Sequence, residues 1–430
     1  MLIPRMFLLL AGAVTWSGCE DAASPMHPIG LDISASQATG GALRRYVALG
    51  TSISMGVASD GVLGGSQEQA WTAQLARLAG TPFTQPRIDF PGCGAPLAGP
   101  LASGQRINGE PASGPSTVCA PLVDGIVLPV NDLAINGATT HEALAVTPEL
   151  AAAADPLRGE LFSRVLRSGQ TQVTEMLAQA PEFVSVELGA NELLPGAASG
   201  LLVPGVTVVP FFAWRREYDQ IIAAAKSTRA KAVLVGLVND VASVPAFRRG
   251  AELYADRAEF NALYVDVSAD CQDSKNLLFV SPVVFRVVAL AQAALQQGLA
   301  MPVLSCANVP GTVDFVLTPV EVTALNFLLV GMNAHIQRVA TLNRFASFKV
   351  DVLYGRPDLK APFSVFTFLF SPEPFGALIT LDGLHPNPQG HGILARAAAE
   401  AINRAYRLDI PLEPGVAAQL VASQSEESRP

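Results

Sequence analysis

Short apolar runs alternate with helical patterns along most of the chain. Runs at 44–49, 132–136, 183–188, 230–237 and 348–353 read as strands, the last as a central one, and 86–90 as a shorter strand. Between them lie helical spacings. Ala70, Trp71, Leu75 and Leu78 share one side of a helix over 67–79, with Trp71 read as core. Leu161, Val165, Val173 and Leu177 mark a helix over 161–180, and 212–226 reads as another. Thr318-Pro319-Val320-Glu321 is a capped start, with Thr at the cap, Pro at the first helical position and Glu at the third, for a helix to about 342. Asn387-Pro388 opens the final helix, whose Ile393, Leu394, Ala397, Ala401 and Ile402 lie on one face. Strands alternating with helices predict a parallel sheet between two helical layers.

Two stretches break the alternation. Residues 92–121 are dense in Gly, Pro and Ser, and a loop of that length in a compact domain is usually functional or tied down. Residues 248–317 read as an insertion whose middle, 277–304, is strongly apolar but interrupted by Arg286, Gln292, Gln296 and Gln297. That excludes a membrane span. It leaves a cap lining an acyl pocket, an interfacial helix, or an ordinary buried helix pair.

The N-terminus changes the compartment. Arg5 precedes an apolar stretch over 6–14, then Trp16-Ser17-Gly18-Cys19. This resembles a bacterial lipoprotein signal peptide over 1–18, with Cys19 lipidated and the protein anchored to a membrane surface of the cell envelope; plain secretion is the alternative. Trp16 stands where an aliphatic residue is usual. Residues 19–43 read as a flexible tether and 411–430 as a polar tail. In an exported chain Cys93, Cys119, Cys271 and Cys306 suggest two disulfides. Three pairings are possible, and the sequence-local ones, Cys93–Cys119 and Cys271–Cys306, are favoured.

Composition mainly excludes. The 430 residues are 50% hydrophobic and 15% charged, with 28 basic and 37 acidic side chains and a net charge of −9. No lysine-arginine run occurs, which argues against a nucleic-acid partner. No Gly-x-x-x-x-Gly-Lys loop, no Gly-x-Ser-x-Gly elbow and no metal-ligand spacing of Cys and His is present.

What remains is a serine chemistry. Gly50-Thr51-Ser52 follows the first strand, where open α/β sheets place their ligands. By itself it is also an ordinary turn. At the other end stands Asp382-Gly383-Leu384-His385-Pro386, a carboxylate three residues before an imidazole. A serine hydroxyl needs a base to take its proton, and the base needs an orienting acceptor on its far nitrogen. The chain has five histidines, His27, His141, His335, His385 and His391. His141 reads as a surface or supporting residue, His335 as a helix-surface residue, and His391 as a helix residue rather than a base.

Together these blocks resemble the SGNH, or GDSL-type, hydrolases. Gly50-Thr51-Ser52 is similar to that family's first block and Asn136-Gly137-Ala138-Thr139-Thr140 to its second. Gly189-Ala190-Asn191-Glu192 and Asp382-Gly383-Leu384-His385 are similar to the third and last, in the family's order. Thr51 and Glu192 each stand where the family usually has aspartate. The resemblance implies a flavodoxin-like α/β/α sandwich over 44–410, with a disulfide-closed, mostly helical insertion at 248–317. It implies a Ser52-His385-Asp382 triad, an oxyanion hole from the Ser52 and Gly137 amides and the Asn191 side chain, and no cofactor or metal. The expected activity is carboxylic ester hydrolysis on a lipid, a small acyl ester or an acetylated glycan. A polysaccharide deacetylase or a non-catalytic binding lipoprotein is the alternative.

Overall fold

The computed structural model describes residues 43–413. The signal peptide, Cys19, most of the tether and most of the tail lie outside the described residues. Strand β1, Tyr46–Leu49, is fully buried and runs into the short helix α1, Ser52–Met55. Helix α2, Trp71–Leu78, follows. Strand β2, Phe183–Val186, precedes helix α3, Leu194–Ser199, and helix α4, Phe211–Ser227. Strand β3, Lys231–Gly236, is separated by the insertion with helix α5, Val280–Gln297, from helix α6, Pro319–Asn343. Strand β4, Ala346–Lys349, and helix α7, Pro388–Tyr406, complete the unit.

The sheet is parallel in the order β1-β2-β3-β4. On the free side of β1 the segment at Asp132 adds one parallel bridge to Ala48. Amide bonds Ala48 to Asn131 O, Leu133 to Ala48 O and Ile135 to Gly50 O extend that contact. Counting the segment as a strand gives the flavodoxin-like order 2-1-3-4-5, whose switch point lies beside β1.

Alternate residues of each strand serve opposite layers. Val47, Leu49, Val184, Val186, Ala232 and Leu234 join a core with α4 and α6. Tyr46, Ala48, Phe183, Val233 and Val235 join a second core with α2 and α7. The fold is thus a three-layer α/β/α sandwich, as expected.

The disulfides are Cys93–Cys119 and Cys271–Cys306, the sequence-local pairing. The first closes the long loop. Inside it, buried Arg106 donates to Ala95 O at 2.7 Å, to Gly114 O at 2.9 Å and to Asp60 Oδ2 at 2.7 Å. The second closes the insertion. Its helices Gly250–Ala255, Arg257–Ala262 and α5 dominate, but Leu277–Phe279 also joins Phe247–Arg249 and Val316–Leu317 in an unforeseen antiparallel sheet. One side of α5, with Val280, Val283, Val284 and Val287, is packed into the second core. Its apolar character is therefore mostly packing, as in the plainest of the three readings. Among the described residues no helix is long and apolar enough to cross a membrane.

Several expectations need correction. Residues 348–353 are not a central strand: β4 is the sheet edge and Asp351–Tyr354 is helical. Residues 86–90 pair only through the bridge between Ile88 and Leu122. The helix over 161–180 is two, Pro156–Val165 and Gln172–Ala178, because Gly169 takes a positive φ and Thr171 caps a new start. His335 is not on the surface. It is buried beside Trp214 with Nε2 2.7 Å from Asp219 Oδ1, a partner on a neighbouring helix that spacing alone does not reveal.

Candidate active site

The C-terminal ends of β1 and β2 turn sharply, and glycine makes both turns possible. A Cβ on Gly50 would stand 2.5 Å from Ser54 Cβ. Gly189 has φ +133°, and a Cβ there would meet Met332 at 3.0 Å and Trp214 at 3.2 Å. Ser52 opens α1 immediately after the first turn, so its own amide is among the unpaired donors of a helix start. Asn191 follows the second turn. Its Nδ2 donates to Ala138 O at 2.9 Å, which ties it to the segment after Asp132 and leaves one amide hydrogen over.

His385 comes from the turn before α7. Its Nδ1 lies 2.7 Å from Asp382 Oδ2. Asp382 is held from four further directions: Oδ2 accepts from the Asp60 amide at 2.7 Å, and Oδ1 from the Leu384 amide at 2.8 Å, the His385 amide at 2.9 Å and Thr380 Oγ1 at 3.1 Å. Burial alone would push this carboxyl up. The neighbouring His385 and these donors outweigh it and hold it at about 2. Burial opposes the charged imidazole of His385, but the Asp382 anion prevails and raises its pKa above the ordinary value.

Ser52, Asn191 and His385 line one cavity, with exposures of only 7%, 8% and 8%. Asp382 stands behind His385. Gly137 is half-buried with φ +75° and is not among the residues that line the cavity; the carbonyl of its neighbour Ala138 holds Asn191. Among the described residues the Gly137 amide donates to no protein acceptor. Of the other histidines, His141 is exposed with Nδ1 3.2 Å from Glu217 Oε1, and His391 is buried in α7, where burial pushes its pKa down to about 3.

Sequence reasoning passed over Glu187. It follows β2, is almost fully buried, and also lines the cavity. Its carboxylate accepts from the Thr51 amide and hydroxyl and from the Ser54 amide and hydroxyl. Burial raises its pKa against those bonds. The one available signal was an acidic residue closing an otherwise apolar run. Glu192 is likewise buried, pushed up to about 7 by burial, and accepts from the Thr140 amide at 2.7 Å. It ties the turn after β2 to the start of the helix at Thr140 and is not among the residues that line the cavity.

No protein-family model and no curated protein matches the chain. Among solved structures, a mutant of Axe2, an acetyl-xylooligosaccharide esterase from Geobacillus, is 13% identical over 84% of this chain and 95% of its own, with a TM-score of 0.34. A catalytic mutant of Axe2, an acetylxylan esterase from Geobacillus stearothermophilus, is 12% identical over 86% and 96%, with the same TM-score. A likeness that remote carries no weight for activity, which rests on the geometry.

Proposed function

We propose that this protein is a serine-dependent carboxylic ester hydrolase of the SGNH type. The observation that carries the reading is the 2.7 Å contact between His385 Nδ1 and Asp382 Oδ2 on one wall of the cavity that Ser52 and Asn191 also line. With Asp382 accepting a hydrogen bond from Nδ1–H, Nε2 is left as the basic nitrogen of a ring that lines the cavity. His385 takes the Ser52 proton as Oγ attacks the ester carbonyl. The resulting oxyanion meets the Ser52 amide and the free Asn191 amide hydrogen, and the Gly137 amide, which the SGNH resemblance supplies as a third donor, has no acceptor in the protein among the described residues. His385 then protonates the leaving alkoxide, and water, deprotonated by His385, releases the acid and regenerates Ser52. Each oxyanion donor contributes about 3 kcal/mol of transition-state stabilisation.

The location is part of the proposal. The leader-like segment ending at Cys19 fits a lipid-anchored envelope protein, and two disulfides suit an oxidising compartment.

The test is hydrolysis of p-nitrophenyl esters, with fluorophosphonate labelling, by wild type and Ser52→Ala. Turnover and labelling that vanish together in the variant support the reading. A folded wild type that neither hydrolyses nor labels overturns it.

A further inference from the structure

The cavity is chemically lopsided. Its polar lining consists of Thr51, Ser52, Glu187, Asn191, Tyr354 and His385. Three of these are already satisfied within the protein. Thr51 Oγ1 donates to Glu187, Glu187 accepts from Thr51 and Ser54, and Tyr354 donates to Leu384 O at 2.6 Å. Thr51 and Tyr354 have spent their hydroxyl hydrogens and keep only acceptor lone pairs, so Ser52, Asn191 and His385 carry the main hydrogen-bonding capacity left for a ligand, and all three belong to the reacting end. The remaining side chains of the lining are hydrocarbon. Leu193, Leu194 and Ala197 come from α3 and the turn before it, Val241 and Val244 from the stretch after β3, and Leu325 and Leu329 from α6.

That wall is built rather than accidental. Leu325 and Leu329 are one helical turn apart and so share a face. Two asparagines of the same helix fasten the facing segment to it. Asn326 Oδ1 accepts from the Val241 amide at 3.0 Å, and Asn333 Oδ1 accepts from the Leu237 amide at 2.7 Å while its Nδ2 donates to Leu237 O. A sugar placed here would leave most of its hydroxyls without partners, which weakens its binding. A hydrocarbon chain has no such groups to satisfy.

We propose that this cavity takes a straight aliphatic acyl chain well beyond acetyl, running from Ser52 between α3 and α6, and that Leu329 sets its length limit. The inference rests on the hydrolase reading above and names the acyl group that reading leaves open. Burying each additional methylene is expected to raise kcat/KM up to about fourfold until the chain meets the wall.

The experiment has two arms. In the first, p-nitrophenyl esters from acetate to palmitate are compared on wild type, Leu329→Trp and Leu329→Ala. The ratio of long-chain to acetate turnover should fall roughly tenfold or more in Leu329→Trp, about two methylenes of lost burial, and the optimum should move to longer chains in Leu329→Ala. These opposite shifts keep the test alive where one variant folds poorly. In the second, Ser52→Ala is titrated with the fluorescent fatty acid parinaric acid and displaced with decanoic acid. Ser52-dependent acetate hydrolysis without fatty-acid binding, or with a chain-length profile that neither variant moves, overturns the acyl pocket and spares the hydrolase. Displaceable fatty-acid binding in a protein whose wild type hydrolyses no ester upholds the pocket and overturns the hydrolase.

Discussion

Glu187 Oε2 lies 2.9 Å from the Thr51 amide, directly behind the turn that presents Ser52. The same carboxylate accepts from the Thr51 hydroxyl at 2.9 Å and from Ser54 Oγ at 3.1 Å. The carboxylate therefore braces the turn from the sheet side. Glu187→Ala leaves these buried donors unpaired, at about 1–3 kcal/mol each. The expected outcome is a clearly lower melting temperature and a kcat that falls more than KM changes. Glu187→Gln keeps one acceptor oxygen and should recover part of both. Thermal unfolding beside steady-state kinetics checks this; unaltered kcat in folded Glu187→Ala removes the bracing role.

The same residue shows where the sequence stops being legible. Ser52, Asp382, His385 and Asn191 are readable because each sits in a short motif whose order along the chain is itself informative, and the structure brings all four to one end of the sheet. Glu187 carries no such motif. Its meaning depends on β2 lying beside β1, a contact between residues 136 positions apart. His335 fails for the same reason, since Asp219 is 116 residues away. The apolar pattern of 277–304 was legible as apolar, but pattern alone does not say which surface a segment covers. Leu325 and Leu329 of α6 line the cavity instead, while α5 packs elsewhere.

The histidine gives a pH profile with a definite sign. A general base works only when neutral, so kcat/KM rises with pH as His385 loses its proton. Burial favours the neutral ring, but the Asp382 anion lifts the pKa above 6.5, and the midpoint of the acid limb is expected above that value. Asp382→Asn removes the anion, shifts the limb toward lower pH and lowers kcat by about 10⁴ through loss of the correct tautomer. An acid limb that stays in place in the variant would assign it to another group.

Asn191 makes a narrower prediction. Its Nδ2 spends one hydrogen on Ala138 O and has one left for the oxyanion. Asn191→Ala should lower kcat by roughly 10²–10³ with a small change in KM, because the lost bond forms only as charge develops. A variant that raises KM and keeps kcat would show Asn191 binding the ground state instead.

The long loop reaches the site by a short relay. Arg106 within it holds Asp60 Oδ2 at 2.7 Å, and the Asp60 amide donates to Asp382 Oδ2 at 2.7 Å. The Cys93–Cys119 bond closes this loop over 26 residues, which in the chain-entropy model stabilises the fold by roughly 3.5 kcal/mol. Replacing both cysteines with alanine should shift the denaturant midpoint down by a matching amount. Equal midpoints for wild type and variant would mean that the loop keeps its order without the bond.

A buried carboxylate beside β1 should make stability fall as pH rises. Asp132 is pushed up to about 7 by burial, against bonds from Ala134 N and Thr72 Oγ1. A raised acid pKa means that the folded state binds its proton more tightly than the unfolded state. Between about pH 4 and pH 7 unfolding then releases a proton, and stability declines as pH rises across that window. Asp132→Asn fits the same space. Its oxygen accepts from Ala134 N and its Nδ2 donates to Thr72 Oγ1, which keeps its own bond to Ser54 O. The variant should match wild type near pH 4, exceed it at pH 8, and lose part of the slope between. Glu192, also pushed up to about 7, contributes a slope of the same sign, so adding Glu192→Gln should flatten the profile further. Melting temperatures from pH 4 to 8 decide it: a single variant no more stable than wild type at pH 8 means that Asp132 ionises without cost in the fold.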